Sequence, residues 1–383
     1  MRFSSHFRVG TAQSAYQLEG NNLNSDWWDW EREPGTPCRE HSGDACDFYH
    51  RYREDLLLMR DLGFDIFRLG LEWARVEPAE GEFSRAELDH YRRVLEACRE
   101  HGLEPMLTFH HFTLPRWLQA RGGFLCTDFL ALFERYCERA AAGLGDLIAF
   151  GYTINEPEGC AVGGWITGVN PPGLKKDVAG MWRAAENLLE AHSRGAPAIR
   201  AAAKVPVGIG MALPELEYVE GAAPGDSAFE LGAAINARFF ELARRDDYIG
   251  VQNYHRIRIG PEGPRGLEPH PPALGAAIRQ AWREAGGIPV IVTENGIDTT
   301  DDARRIAYLD SALTEVEKCR DEGIDVRGYL HWSLLDNFEW ASGYGPRFGL
   351  VEVDRETFAR RPKPSARRLG DYARLGRAQT PRS

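Results

Sequence analysis

The sequence predicts an α/β fold, a single (β/α)8 or TIM barrel over residues 1–383 with its active site at the C-terminal ends of the strands. Three observations predict it. Eight short apolar runs alternate with eight amphipathic helical stretches. The long irregular segments at 20–47, 156–180, 212–227, 255–272 and 333–362 all follow strands, so they gather at one mouth. A chain of 383 residues, 43% of them hydrophobic, fits one barrel with loop insertions. No Pro/Ser-rich linker and no repeat of 20–50 residues divides it.

The elements follow in order. A strand is expected over 7–12, then a helix over 50–62. The strand at 64–70 precedes a helix at 86–101. The apolar run 104–109 leads to a helix over 128–143, and 148–154 to a helix over 181–203. The glycine-rich strand 205–211 precedes a helix at 228–245. The strand 247–253 precedes one at 273–286, and 288–293 precedes one at 302–322. The strand 326–332 and a helix at 365–375 complete eight units.

Two of the strands end on a glutamate beside an asparagine. One reads Phe150-Gly-Tyr-Thr-Ile-Asn155-Glu156-Pro157 and the other Pro289-Val-Ile-Val-Thr293-Glu294-Asn295-Gly296. A buried strand is a run of apolar, β-branched residues, which Pro and Gly then stop. Both carboxylates therefore project from strand exits, where barrels build their sites. Two carboxylates facing one cavity are the machinery for cleaving a glycosidic bond.

Bulk properties exclude other classes. The net charge of −11 argues against nucleic acid as a partner. No apolar run is long enough to span a bilayer, and the start Met1-Arg-Phe-Ser-Ser-His-Phe7 shows no apolar leader. The seven Cys are odd in number and lack metal-ligand spacing, which predicts reduced thiols in a cytoplasmic protein with no metal and no cofactor. Ten Trp suit sugar stacking and core packing alike. Oligomeric state is not legible.

Motifs at the strand ends and in the loops carry a resemblance. In order they are Gln17-Leu-Glu-Gly20, Phe67-Arg-Leu-Gly-Leu-Glu-Trp73, His111-Phe-Thr-Leu-Pro115, Thr153-Ile-Asn-Glu-Pro157, Gly250-Val-Gln-Asn-Tyr254, Thr293-Glu-Asn-Gly296, Trp332-Ser-Leu-Leu-Asp-Asn-Phe-Glu-Trp340 and Arg347-Phe-Gly349. Together, from about residue 7 to 365, they resemble glycoside hydrolase family 1, the β-glucosidase family. The resemblance implies a retaining β-D-glycosidase acting on small β-glycosides or oligosaccharides. It makes Glu294 the nucleophile and Glu156 the acid/base, with carboxyls roughly 5–5.5 Å apart. Arg68, Asn155, Tyr254 and Gln252 would support catalysis. Gln17, His111, Trp332, Glu339, Trp340 and Phe348 would bind the sugar, with Glu339 anionic at neutral pH. A transglycosylase on the same scaffold and a non-catalytic sugar-binding protein are the alternatives.

Several positions depart from the family pattern. Two histidines, His110 and His111, precede the Leu-Pro pair; His111 keeps the family's distance to it. Gln252 stands where a shorter Asn is usual, and Glu158 where Trp is usual. The loops at 212–227 and 255–272 are short on the side that usually shapes the leaving-group site. Trp27, Trp28 and Trp30 are expected to pack beneath the first loop, Trp165 either flanks the leaving group or packs, and Arg360, Arg361, Arg367 and Arg368 are expected on a solvated C-terminal face.

Overall fold

A computed structural model describes residues 7–378. The start at 1–6, where no apolar leader was expected, and the last five residues of the expected domain lie outside the described residues. Eight parallel strands close into a barrel: β1 (Arg8–Ala12), β2 (Ile66–Gly70), β3 (Glu104–His110), β4 (Phe150–Asn155), β5 (Val207–Ala212), β6 (Tyr248–Gln252), β7 (Val290–Asn295) and β8 (Val326–Trp332). Each pairs with its sequence neighbours, and β1 closes the ring on β8 through Val9 opposite Tyr329. The helices between and after them are α1 (Phe48–Leu62), α2 (Arg85–Glu100), α3 (Phe129–Leu144), α4 (Val178–Ala203), α5 (Ala228–Ala243), α6 (Pro272–Glu284), α7 (Asp302–Asp321) and α8 (Pro364–Ala378).

The apolar residues divide into two layers. The larger packs the outer strand faces against the helices, with Leu56, Val94, Phe133, Leu188, Phe239, Ile278 and Leu313 buried there. The smaller fills the barrel itself and runs through Ile66, Met106, Phe150, Tyr152, Tyr248, Ile291 and Leu330 up to Trp332. Burial on both faces is why these strands read as continuous apolar runs.

The loops differ from expectation. The segments 212–227 and 255–272 are not irregular. Glu215–Tyr218, Arg256–Gly260 and Gly263–Glu268 form a three-stranded sheet beside the mouth. Cross-strand ion pairs hold it: Arg256 meets Glu217 and Glu268, each at 3.0 Å. Arg360 is not on a solvated face either. Its guanidinium grips Asp55 of α1 through two bonds of 2.8 Å. The other three arginines, Arg361, Arg367 and Arg368, are exposed. All seven cysteines are free thiols, six of them buried. Among the described residues no helix is long and apolar enough to cross a membrane.

Candidate active site

Glu294 lies one residue before the end of β7, and three donors fix its carboxylate. Arg68 Nη1 reaches Oε1 at 2.5 Å, Gln252 Nε2 reaches Oε1 at 2.9 Å, and the Tyr254 hydroxyl donates to Oε2 at 2.5 Å. Each comes from another strand or strand exit: β2, β6 and the turn after β6. The longer Gln252 side chain thus spans from its strand to the carboxylate, and its Nε2 also reaches Asn155 Oδ1 at 2.6 Å.

Glu156 directly follows β4 and starts the short helix Pro157–Val162. Its backbone is left-handed, φ 43° and ψ 65°, a region that costs an L-residue on the order of 1–2 kcal/mol. The following Pro157 disfavours the right-handed helical alternative at this position. The Glu156 amide donates to Gly210 O at 2.9 Å, and its carbonyl accepts from Cys160 N. Its carboxyl is half-buried, and no donor among the described residues reaches it.

Arg68 is fully buried, and every arm of it is used. Nε donates to Thr108 Oγ1 at 2.9 Å and Nη2 to Asn155 Oδ1 at 2.5 Å, while the guanidinium lies 4.1 Å from the centroid of the Tyr152 ring. One cation therefore orients Glu294, Asn155 and, at 3.4 Å, His111 Nδ1.

A cavity of about 190 Å³ opens above the two acids. Gln17, His111, Trp332, Glu339, Trp340 and Phe348 all line it, with Asn155 and Tyr254. Glu339 accepts from Trp332 Nε1 at 3.1 Å, Asn337 Nδ2 at 3.1 Å and Gln17 Nε2 at 3.2 Å. His111 and Trp332 stack with centroids 5.8 Å apart. Trp340 and Phe112, with φ of 51° and 71°, share the left-handed strain of Glu156, and three such residues around one cavity mark it as a site. His110 lies behind the wall between Phe124 and Phe133. Trp27 packs under Trp340 at 4.7 Å, and Trp28 lies beneath Arg32. Trp30 donates to Val169 O. Trp165 is buried beside Phe124.

The two carboxyls sit in opposite electrostatic settings. Burial, then the charge of Glu294 and of Glu158, push the Glu156 carboxyl well above the usual range. Burial also raises Glu294, but Arg68 and Tyr254 oppose it. The proton of the pair therefore rests on Glu156. Burial and Arg68 keep His111 neutral. Glu339 departs from expectation: burial pushes it up to about 8, so it is not a permanent anion at neutral pH.

Sequence reasoning missed Tyr152, Thr108, Asn337, Phe112 and His255. Tyr152 and Thr108 hold Arg68, and Asn337 holds Glu339. Phe112 and His255 line the cavity. Each reads locally as core or loop; only Phe112, inside the His111-to-Pro115 motif, and Asn337, inside the Trp332-to-Trp340 motif, carried a signal.

The chain matches the model of glycosyl hydrolase family 1 over residues 1–261 and 252–375. A solved β-glycosidase, BGL167, is similar at 44% identity over 100% of this chain and 98% of that one, with a TM-score of 0.90. The β-glycosidase from Pyrococcus horikoshii is similar at 32% identity over 98% and 95%, TM-score 0.89. Thermostable beta-glucosidase B of Thermobispora bispora is 32% identical over 98% of this chain and 91% of its own length.

Proposed function

The chain belongs to glycosyl hydrolase family 1, and from that premise we propose that Glu294 is the nucleophile and Glu156 the acid/base of a retaining β-glucosidase. The observation that carries this assignment is the asymmetry of the two acids. Glu294 is locked by Arg68, Gln252 and Tyr254, whereas Glu156 is free to hold a proton and faces the same cavity.

In the first step Glu294 attacks the anomeric carbon while Glu156 gives its proton to the leaving oxygen. Esterification removes the negative charge of Glu294, and the Glu156 pKa falls. Glu156 then takes a proton from water, which attacks the anomeric carbon and releases Glu294. Two inversions retain the β configuration. Asn155, positioned by Arg68 and Gln252, suits the 2-hydroxyl, where contacts tighten in the transition state. Gln17, Glu339 and Trp340 suit the remote hydroxyls, and Trp332 offers a stacking face. His111 offers a neutral ring nitrogen. Each buried polar group rejects a glycone lacking its partner hydroxyl.

The free, buried cysteines support a cytoplasmic enzyme, and the acidic charge supports small glycosides rather than nucleic acid as partners. Proton NMR of the first sugar released from an aryl β-glucoside tests the assignment. The β-anomer should appear first; initial release of the α-anomer would remove Glu294 from the role of nucleophile.

A further inference from the structure

The loop after β8 carries Glu339 to the sugar cavity, and two amide side chains behind the wall hold it there. Gln13 directly follows β1 and is fully buried, and Asn337 is buried with it. The Gln13 backbone amide donates to Arg68 O at 2.9 Å, which ties it to the strand that supports Glu294. Its side chain crosses to the loop. Oε1 accepts from Leu335 N at 3.1 Å, and Nε2 donates to Asn337 Oδ1 at 3.3 Å. Asn337 Nδ2 in turn donates to Phe338 O at 2.9 Å and to Glu339 Oε1 at 3.1 Å.

The direction of this chain of amides follows from its first member. A backbone N–H can only donate, so Leu335 N holds the Gln13 side-chain oxygen on its own side. Nε2 is then turned to Asn337, which meets that donor with its oxygen. Nδ2 of Asn337 is left facing Glu339. With Asn337 turned over, Oδ1 would stand against the carboxylate, acceptor on acceptor.

The next residue orders the other side of the carboxylate. Ser14 Oγ donates to Gln17 Oε1 at 2.7 Å, which turns Gln17 Nε2 toward Glu339 Oε2 at 3.2 Å. Two consecutive residues at the exit of β1 thus orient a donor onto each oxygen of Glu339. These donors favour the ionised carboxylate against the burial that pushes it up to about 8.

We infer that Gln13 is a positioning residue for sugar recognition: acting through Asn337 and without touching the sugar, it keeps Glu339 turned and poised to accept from the remote hydroxyls. The inference rests on the reading that places Glu339 at those hydroxyls.

The test compares kcat/KM for 4-nitrophenyl β-glucoside and its 4-deoxy and 6-deoxy analogues. The wild type should prefer the parent over at least one analogue by about tenfold or more. Gln13→Met keeps the side-chain length and removes the amide. It should cut that preference at least about threefold, chiefly by loss on the parent. A merely structural role would lower parent and analogue alike and leave the ratio unmoved. Asn337→Ala should cut the preference too, and adding Gln13→Met to it should cut it no further, because the relay is already broken. Gln13→Glu keeps the acceptor for Leu335 N and decides the matter if Gln13→Met fails to fold. Ionised, the introduced carboxyl offers Asn337 a second acceptor; protonated, its O–H restores the donor. Relative to wild type at the same pH, the preference should fall at alkaline pH and return at acidic pH. An unchanged preference in folded Gln13→Met overturns the inference, as does additive loss in the double variant or a preference equal to wild type at every pH in Gln13→Glu. Equal turnover of parent and both analogues by the wild type would overturn the placement of Glu339 itself, and the inference with it.

Discussion

Glu294 and Glu156 are chemically identical side chains whose surroundings divide their roles. Replacing each by alanine should therefore fail in different ways. Glu156→Ala removes proton donation, about 10²–10⁴-fold in rate. The first step should survive for a dinitrophenyl leaving group, which needs no proton, and azide should rescue turnover to a β-glycosyl azide. Glu294→Ala should lose all substrates alike, and azide should give the α-product. Identical leaving-group profiles for the two variants would count against separate roles. Arg68 is the shared support, its Nη1 2.5 Å from Glu294. Arg68→Met leaves that carboxyl buried without its cation, and it responds by binding a proton more tightly. The acidic limb of the pH–rate profile, which reports ionisation of Glu294, should move upward. An unmoved acidic limb in a folded variant would take Arg68 out of the site.

At the scale of elements, the site depends on how closely neighbouring strands approach. Gly210 on β5 lies opposite Gly250 on β6, and a Cβ at Gly210 would fall 1.6 Å from the Tyr152 hydroxyl of β4. The missing side chain makes room for the ring on which Arg68 rests and whose hydroxyl accepts from Gln252 Nε2 at 2.9 Å. Gly210→Ala should displace that ring and with it two of the three supports of Glu294, Arg68 and Gln252. We expect about 10²-fold loss in kcat/KM and about 1–3 kcal/mol of stability from overpacking. Full activity in the variant, measured beside its melting curve, would show that Tyr152 does not position the site.

This dependence also marks what the sequence could convey. The strands and helices were legible because their periods and lengths are local properties, and both acids because each follows a strand run that Pro or Gly stops. Tyr152 was not, because a tyrosine in a strand buried on both faces reads as core, and nothing near it in the chain says that Gly210 faces it. The three-stranded sheet was hidden for the same reason: Glu217 meets Arg256 across a gap the local pattern does not encode. Arg360 finds Asp55 305 positions away, so its surroundings in the chain suggested only a charged surface.

Across the whole molecule, the fold buries several acids in the loops and short helices around the barrel mouth. Burial pushes Asp26 up to about 7 and Glu72, Glu158 and Glu339 each up to about 8. Unfolded, such groups titrate near about 3.9 for Asp and about 4.3 for Glu. Between those values and the raised ones, the folded chain keeps a proton that the unfolded chain has released. Stability is then fully present below about pH 4 for these groups and is lost as pH rises toward about 8. The slope is at most about 1.4 kcal/mol per pH unit for each group. Carboxylates that are depressed in the fold, such as Asp302 beside Arg305 and Ser365, work the other way and weaken the fold as acid protonates them. The melting temperature should therefore peak at mildly acidic pH and fall from about pH 5 to 8. Glu72 is the cleanest probe, because it lies outside the sugar cavity and accepts from Thr113 Oγ1 and Ala74 N, contacts the Oε1 of a glutamine can keep. Glu72→Gln cannot ionise. Calorimetry across that pH range should give it a shallower decline than the wild type, by no more than the slope of one group. Parallel curves would mean that Glu72 already carries its charge in the folded protein.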